Sequence, residues 1–167
     1  RRGLVFYIIK KYDEALEDLN TVISMKDYIS LIFIANAYGN RGSIFEKKED
    51  YQNALSDYNK VINSEEYPIA LKIRARFYRA RNLSENINPR QYADAIDDYT
   101  QVLKNKNFVS IDLMSKTYVN RALCWLKSDL PEVERSSKAK SDLEEVINIR
   151  TEPADVINIA REELMRL

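Results

Sequence analysis

Apolar positions recur along this chain at intervals of three and four, and one such pattern comes back four times. The stretches ALEDLNTVI from Ala15, ALSDYNKVI from Ala54, AIDDYTQVL from Ala95 and AKSDLEEVI from Ala139 each place Ala first, Asp fourth, Tyr or Leu fifth, Val eighth and Ile or Leu ninth. Each reads as one amphipathic helix. The copies begin 39, 41 and 44 residues apart, an interval large enough to hold two helices and indicative of a stacked repeat array.

A second shared element precedes each copy: RRGLVF from Arg1, NRGSIF from Asn40, YRARNL from Tyr78 and NRALCW from Asn120. All four carry Arg second, Gly or Ala third and a bulky apolar residue sixth. A small residue followed three later by a large one lets a neighbouring helix come close and then locks it. The unit is therefore a pair, helix A with the Arg and helix B with the Ala and Asp. The boundaries expected are about 1–27, 29–66, 68–107 and 110–150. Residues 151–167 follow as a capping helix or the start of a further repeat, with Thr151 and Pro153 at its start and Val156, Ile157, Ala160, Leu164 and Leu167 at helical spacing.

In the second unit the order Tyr38-x2-Arg41-Gly42-x2-Phe45 and then Ala54-x3-Tyr58 resembles the tetratricopeptide repeat, and Tyr12, Tyr51 and Tyr92, each three residues before the shared Ala, extend the likeness. The resemblance covers residues 1 to 150 and implies an all-α, right-handed superhelical array of antiparallel helix pairs. The usual repeat is ~34 residues, so each unit here holds additions. SLIFIANAY lengthens the second helix A, SENINPRQ separates the third pair, with Asn88 and Pro89 as a helix start, and SDLPEVERSS separates the fourth.

Composition agrees with an all-helical chain: 45% of residues are hydrophobic, 31% are charged, and only three Gly and four Pro supply turns. The formal net charge is zero, so no global field draws in nucleic acid or an anionic membrane. No apolar run approaches the ~18 residues of a membrane span. The single Cys124 excludes an internal disulfide framework and fits a reducing, cytoplasmic setting. The chain opens inside a repeat, as a piece of a longer protein would.

The absence of His removes Ser–His–Asp triads, Cys–His pairs and His metal ligands, and no phosphate-binding Gly-rich loop occurs. A non-enzymatic protein without a cofactor or metal is expected. Carboxylate runs such as EKKED read as solvated faces, Cys124 as a small core residue, and Trp125 as core at the place held by Phe6, Phe45 and Leu83.

Two rows of charge stand out. Arg2, Arg41, Arg79 and Arg121 share one place in helix A, and Asp18, Asp57, Asp98 and Asp142 share one in helix B. They suggest a ladder of partly buried Arg–Asp pairs, with the carboxylate coming from the same unit's helix B or from the preceding one. In tetratricopeptide arrays the A helices line a concave partner-binding groove. Traced at helical spacing, that stripe holds Asn36, Gly39, Asn40, Ser43 and Lys47 in the second unit. It continues with Arg74, Phe77, Tyr78 and Arg81 in the third, then Lys116, Val119, Asn120, Leu123 and Lys127 in the fourth. This basic, partly aromatic groove suits a peptide or protein partner with acidic and bulky residues.

The two-carboxylate clamp by which such domains hold chaperone tails is disfavoured. Gly39, Ser43, Tyr78 and Asn120 stand where it needs Lys, Asn, Asn and Arg, and only Lys116 fits. A protein-interaction scaffold is the leading reading. The alternatives are a docking segment acting in cis within a larger enzyme or signalling protein, and an RNA-binding helical repeat. The last is opposed by neutral charge and by groove residues that differ between units. The chain is expected as a monomer or associated end to end.

Overall fold

The computed structural model describes residues 2–87, 90–149 and 154–167, with the side chains of all of these except 2–10 and 154. Among the described residues there is no strand. The α-helices are α1 (Arg2–Ser24), α2 (Leu31–Lys47), α3 (Tyr51–Asn63), α4 (Ile69–Arg81), α5 (Tyr92–Lys104), α6 (Ile111–Leu126), α7 (Glu132–Asn148) and α8 (Ala154–Met165). A π-helical stretch, Asn82–Asn86, continues α4, and a 3₁₀ turn, Lys106–Phe108, precedes α6. The chain forms two compact units, Arg1–Ala75 and Arg76–Leu167.

In the first unit α1 packs on α2 and α2 on α3. The repeated residues of α3 make its inner face: Ala54, Asp57, Tyr58 and Val61 are all buried. Opposite them, a Cβ added at Gly42 would lie 2.8 Å from the Tyr58 ring, whereas one at Gly39 would meet nothing within 4 Å. The α2–α3 turn is a Schellman motif. Glu49 sits at φ 60°, its N–H donates to the Glu46 carbonyl at 3.0 Å, and the Asp50 N–H donates to the Phe45 carbonyl at 2.8 Å. Asp50 then caps α3 by accepting from the Asn53 N–H at 3.3 Å.

The first copy of the repeat departs from the expected helix pair. Residues 2–24 form one continuous helix, so no turn separates RRGLVF from ALEDLNTVI. The reason is local: Lys10 and Lys11 stand where the second repeat has Glu49 and the capping Asp50. Without a cap or a left-handed residue, the helical pattern runs through. Ala15, Leu19 and Val22 are accordingly only half-buried, since no helix A folds back on them.

The second unit packs α5 on α6, α6 on α7 and α8 on both α6 and α7. Val119, Ala122, Ala139, Leu143 and Val146 share one core with Val156 and Ala160 of α8, and Leu164 packs against it. Ile157 is half-buried and Leu167 is exposed; Thr151 and Pro153 lie outside the described residues. α7 begins at Glu132, so the expected loop SDLPEVERSS contributes most of its length to helix. Pro131 opens this helix, and Glu132 and Glu134 in its first turn complement the helix dipole. α5 begins at Tyr92 rather than near Asn88 and Pro89, which lie outside the described residues.

One ion-pair geometry recurs in both units. The Arg41 Nε and Nη2 each lie 2.7 Å from a carboxylate oxygen of Asp57. Arg79 forks onto Asp98 at 2.6 and 2.7 Å, and Arg121 onto Asp142 at 2.9 and 2.6 Å. The carboxylate always comes from the following helix B, and each is buried. The third guanidinium nitrogen turns to the preceding helix B instead. Arg41 Nη1 donates to Asn20 Oδ1 at 2.5 Å and Arg121 Nη1 to Thr100 Oγ1 at 2.9 Å. The Asp57 bond holds the Arg41 guanidinium above its usual pKa, against the opposing effect of its burial. Asp98 receives a second cation, Arg76, at 2.8 Å.

In the fourth pair expected, Arg2 and Asp18 both stand on α1. Sixteen residues apart on one straight helix, the two positions are separated by about 24 Å. Asp18 is exposed, and the Arg2 side chain lies outside the described residues.

Two contrasts follow for thermal or denaturant unfolding. Gly39→Ala gains ~1 kcal/mol of helix propensity and raises Tm. Gly42→Ala drives a methyl into the Tyr58 ring and loses ~1 kcal/mol net, because overpacking of 1–3 kcal/mol outweighs that gain. Asp57→Ala strands Arg41 and costs ~3–5 kcal/mol, whereas Asp18→Ala stays within ~0.5 kcal/mol of the parent.

Candidate functional site

The helix-A positions expected to face a partner divide once packing is known. In the first unit Asn40 and Lys47 are exposed. Asn36 is half-buried and engaged: its amide donates to the Ile32 carbonyl at 2.8 Å, and its Oδ1 accepts from Arg74 Nη2 at 2.7 Å. Arg74 itself is exposed. Ser43 is half-buried, 3.4 Å from the Tyr58 hydroxyl.

In the second unit two expected contact residues belong to the core instead. Phe77 is 5% exposed and meets Tyr78 and Tyr99 edge-on, with ring centroids 5.5 and 5.9 Å away. Val119 is 6% exposed and packs in the cluster shared with α7 and α8. Both sit at the edge of the traced stripe, where a shift of one helical position exchanges groove for core. Tyr78 is half-buried, with the Arg81 guanidinium 5.1 Å from its ring centroid. Lys116 is exposed and paired with Asp112 at 2.8 Å one turn away. Asn120 is half-buried and Lys127 exposed.

Lys116, Asn120 and Lys127 form one row along α6. At the Lys127 end lies a cavity of about 40 Å³. Ser84 and Glu85 enter it from the π-helical stretch and Tyr92 from the start of α5, and Asn120, Leu123, Cys124 and Lys127 complete the wall from α6. The π turn holds itself together locally. The Ile87 N–H donates to the Asn82 carbonyl at 3.0 Å, Asn86 Nδ2 donates to Asn82 Oδ1 at 3.0 Å, and Ser84 Oγ donates to the Arg81 carbonyl at 3.2 Å. Such single π turns are rare in helices and concentrate at functional sites.

Burial pushes the Cys124 thiol up to about 11 and raises the Tyr99 phenol well above its usual range. Both groups are neutral near pH 7, and Cys124 is no nucleophile there. Trp125 is half-buried against the same unit's core, with Lys138 Nζ 4.8 Å from its ring centroid.

Sequence reasoning missed the π turn and the second Arg on Asp98. Arg76 occupies the place of Tyr38 and Tyr118 in the other pairs, so a break in the Tyr row was its signal. The acceptors Asn20 and Thr100 also had one: the sixth residue of every helix-B copy is polar, as Asn20, Asn59, Thr100 and Glu144.

Among the described residues no three Cys, Asp or Glu side chains stand close enough to hold a metal ion, and no helix is long and apolar enough to cross a membrane. No curated protein and no solved structure matches the chain. The family model for the tetratricopeptide repeat matches residues 35–67, which span most of α2 and all of α3. Residues 35–67 thus match a tetratricopeptide repeat, and the same residues recur in the later helix pairs of an all-α repeat fold.

Proposed function

We propose that the chain is a non-enzymatic scaffold that holds a peptide or protein partner against the exposed faces of its A helices. Tetratricopeptide repeats are in general protein-interaction modules, and fold alone names no partner. One observation supports this use of the helix faces. Lys116, Asn120 and Lys127 along α6, with Tyr78 and Arg81 at the end of α4, stay at the surface of a unit that buries Phe77 and Val119.

The chemistry of that face suits an extended segment. Tyr78 offers a ring edge beside a guanidinium, and Arg81 and Lys127 are cations able to meet acidic side chains at low cost in desolvation. The forked Arg41, Arg79 and Arg121 are committed to Asp57, Asp98 and Asp142, so the cations offered to a partner are Arg81, Lys116 and Lys127 rather than the repeated Arg row. In the first unit Asn40, Lys47 and Arg74 occupy the corresponding exposed places.

Selection of short peptides from a randomised display library, followed by fluorescence anisotropy, tests this reading. Charge reversal at Arg81 and Lys127 is expected to weaken the selected acidic peptides by about tenfold or more, and raising the salt to about 0.5 M has the same direction of effect. Peptides whose affinity is untouched by both changes would place binding elsewhere.

A further inference from the structure

Among the described residues, Asp98 alone of the forked carboxylates meets two guanidinium groups. Arg79 grips it through Nε and Nη2, at 2.6 and 2.7 Å, and Arg76 approaches through Nη1, 2.8 Å from Oδ1. All three residues belong to the second compact unit. Two cations against one carboxylate leave a surplus positive charge. Asp98 is buried, and the Arg76 side chain is only 28% exposed, so that surplus is incompletely hydrated. A cation so placed is stabilised by a further anion at its open side.

The open side has the right donors. Arg41, Arg79 and Arg121 each hold their carboxylate with Nε and Nη2, the edge whose two parallel N–H groups match two oxygens. Arg76 directs Nη1 to Asp98, and its Nε and Nη2 meet no acceptor among the described residues. The helix pair does not require this second cation. Tyr118 stands at the place of Arg76 in the pair that follows, and Asp142 there is met by Arg121 alone. In the preceding pair Tyr38 holds that place, and Lys60 supplies a second cation, with Nζ 3.5 Å from Asp57 Oδ1 and 5.0 Å from the Tyr38 ring centroid. Lys60 is 48% exposed, and its ammonium is a hydrated point charge without a fork.

We propose that Arg76 is a docking point for the carboxylate of an Asp or Glu side chain in a protein partner, held by its Nε–Nη2 edge. One negative charge balances the surplus of the cluster. A phosphate dianion would bring a second charge towards the buried Asp98, at a cost in repulsion. The sequence of α4, IALKIRARFYRAR, contains no acidic residue, so no carboxylate of its own helix competes for the edge. Arg76 stands five residues before Arg81, about 140° around the helix. It is therefore a second contact point and not an extension of the first. That the carboxylate belongs to a protein partner rests on the scaffold reading above, whereas the open fork stands on the geometry of the cluster.

The experiment follows the arginine Nε–Hε signals of the ¹⁵N-labelled chain as acetate replaces chloride at constant ionic strength, at about pH 8, where acetate is a monoanion and phosphate chiefly a dianion. A saturable shift is expected at Arg76 Nε–Hε, with the Arg79 signal little moved. Arg76→Tyr installs the residue found in the other pairs; acetate is expected to raise the Tm of the parent and not of this variant. Arg76→Lys keeps the charge without the fork and is expected to weaken acetate about three- to tenfold, read from backbone amide shifts around residue 76. No saturable shift at Arg76, an equal acetate response in Arg76→Tyr, undiminished binding in Arg76→Lys, or phosphate bound more tightly than acetate would overturn the proposal. Acetate held at Arg76 while selected peptides ignore Arg81 and Lys127 would keep this site and remove the scaffold reading. Peptides bound through Arg81 and Lys127 with no acetate at Arg76 would do the reverse.

Discussion

The buried fork between an Arg of helix A and an Asp of the next helix B is the interaction on which each helix pair depends. An Asp in an apolar helix face is costly unless its charge is met and its oxygens are hydrogen-bonded. Arg41, Arg79 and Arg121 satisfy both oxygens of their partners at once, which a Lys at the same place cannot do. The remaining guanidinium nitrogen of Arg41 and of Arg121 reaches a neutral acceptor on the preceding helix. One side chain thus joins three successive helices: α1, α2 and α3 in the first unit, and α5, α6 and α7 in the second. The fork fixes rotation and register of helix B against helix A, while Ala54, Tyr58 and Val61, or their counterparts, supply the apolar burial. Gly42 sharpens the fit by admitting the Tyr58 ring against the α2 backbone.

The same constraint frees the rest of helix A for recognition. Because the Arg row is committed inward, the side chains that can meet a partner are those one helical position away, such as Asn120 beside Arg121. Where α4 gives way to a π turn, Ser84 and Glu85 line a cavity together with Asn120 and Cys124 of α6. The cavity is a consequence of that local irregularity added to an otherwise regular repeat.

Much of this was legible in the residues. The four helix-B copies mark their buried face directly, because Ala, Tyr or Leu, and Val at that spacing lie on one side of a helix. The Arg and Asp rows showed that a pair was present, though not which helix B supplied the carboxylate. The first repeat misled because its copied residues are genuine while its turn is not: Lys10 and Lys11 replace Glu49 and Asp50, and two residues decide whether one helix or two form. Phe77 and Val119 misled for another reason. Apolar residues at the edge of a stripe belong to core or groove according to rotations that spacing alone leaves undetermined. The π turn had no signature in a pattern built on 3.6 residues per turn.

A double-mutant cycle at Arg121 and Asp142, read by denaturant unfolding, tests the central claim most directly. Arg121→Met and Asp142→Leu are each expected to cost ~3–5 kcal/mol, since each leaves a charge without its partner in a largely buried place. The double variant is expected to lose at least ~2 kcal/mol less than their sum, because the second change removes the stranded charge. Additive losses, or single variants as stable as the parent, would contradict the account in which the fork holds the helix pair together.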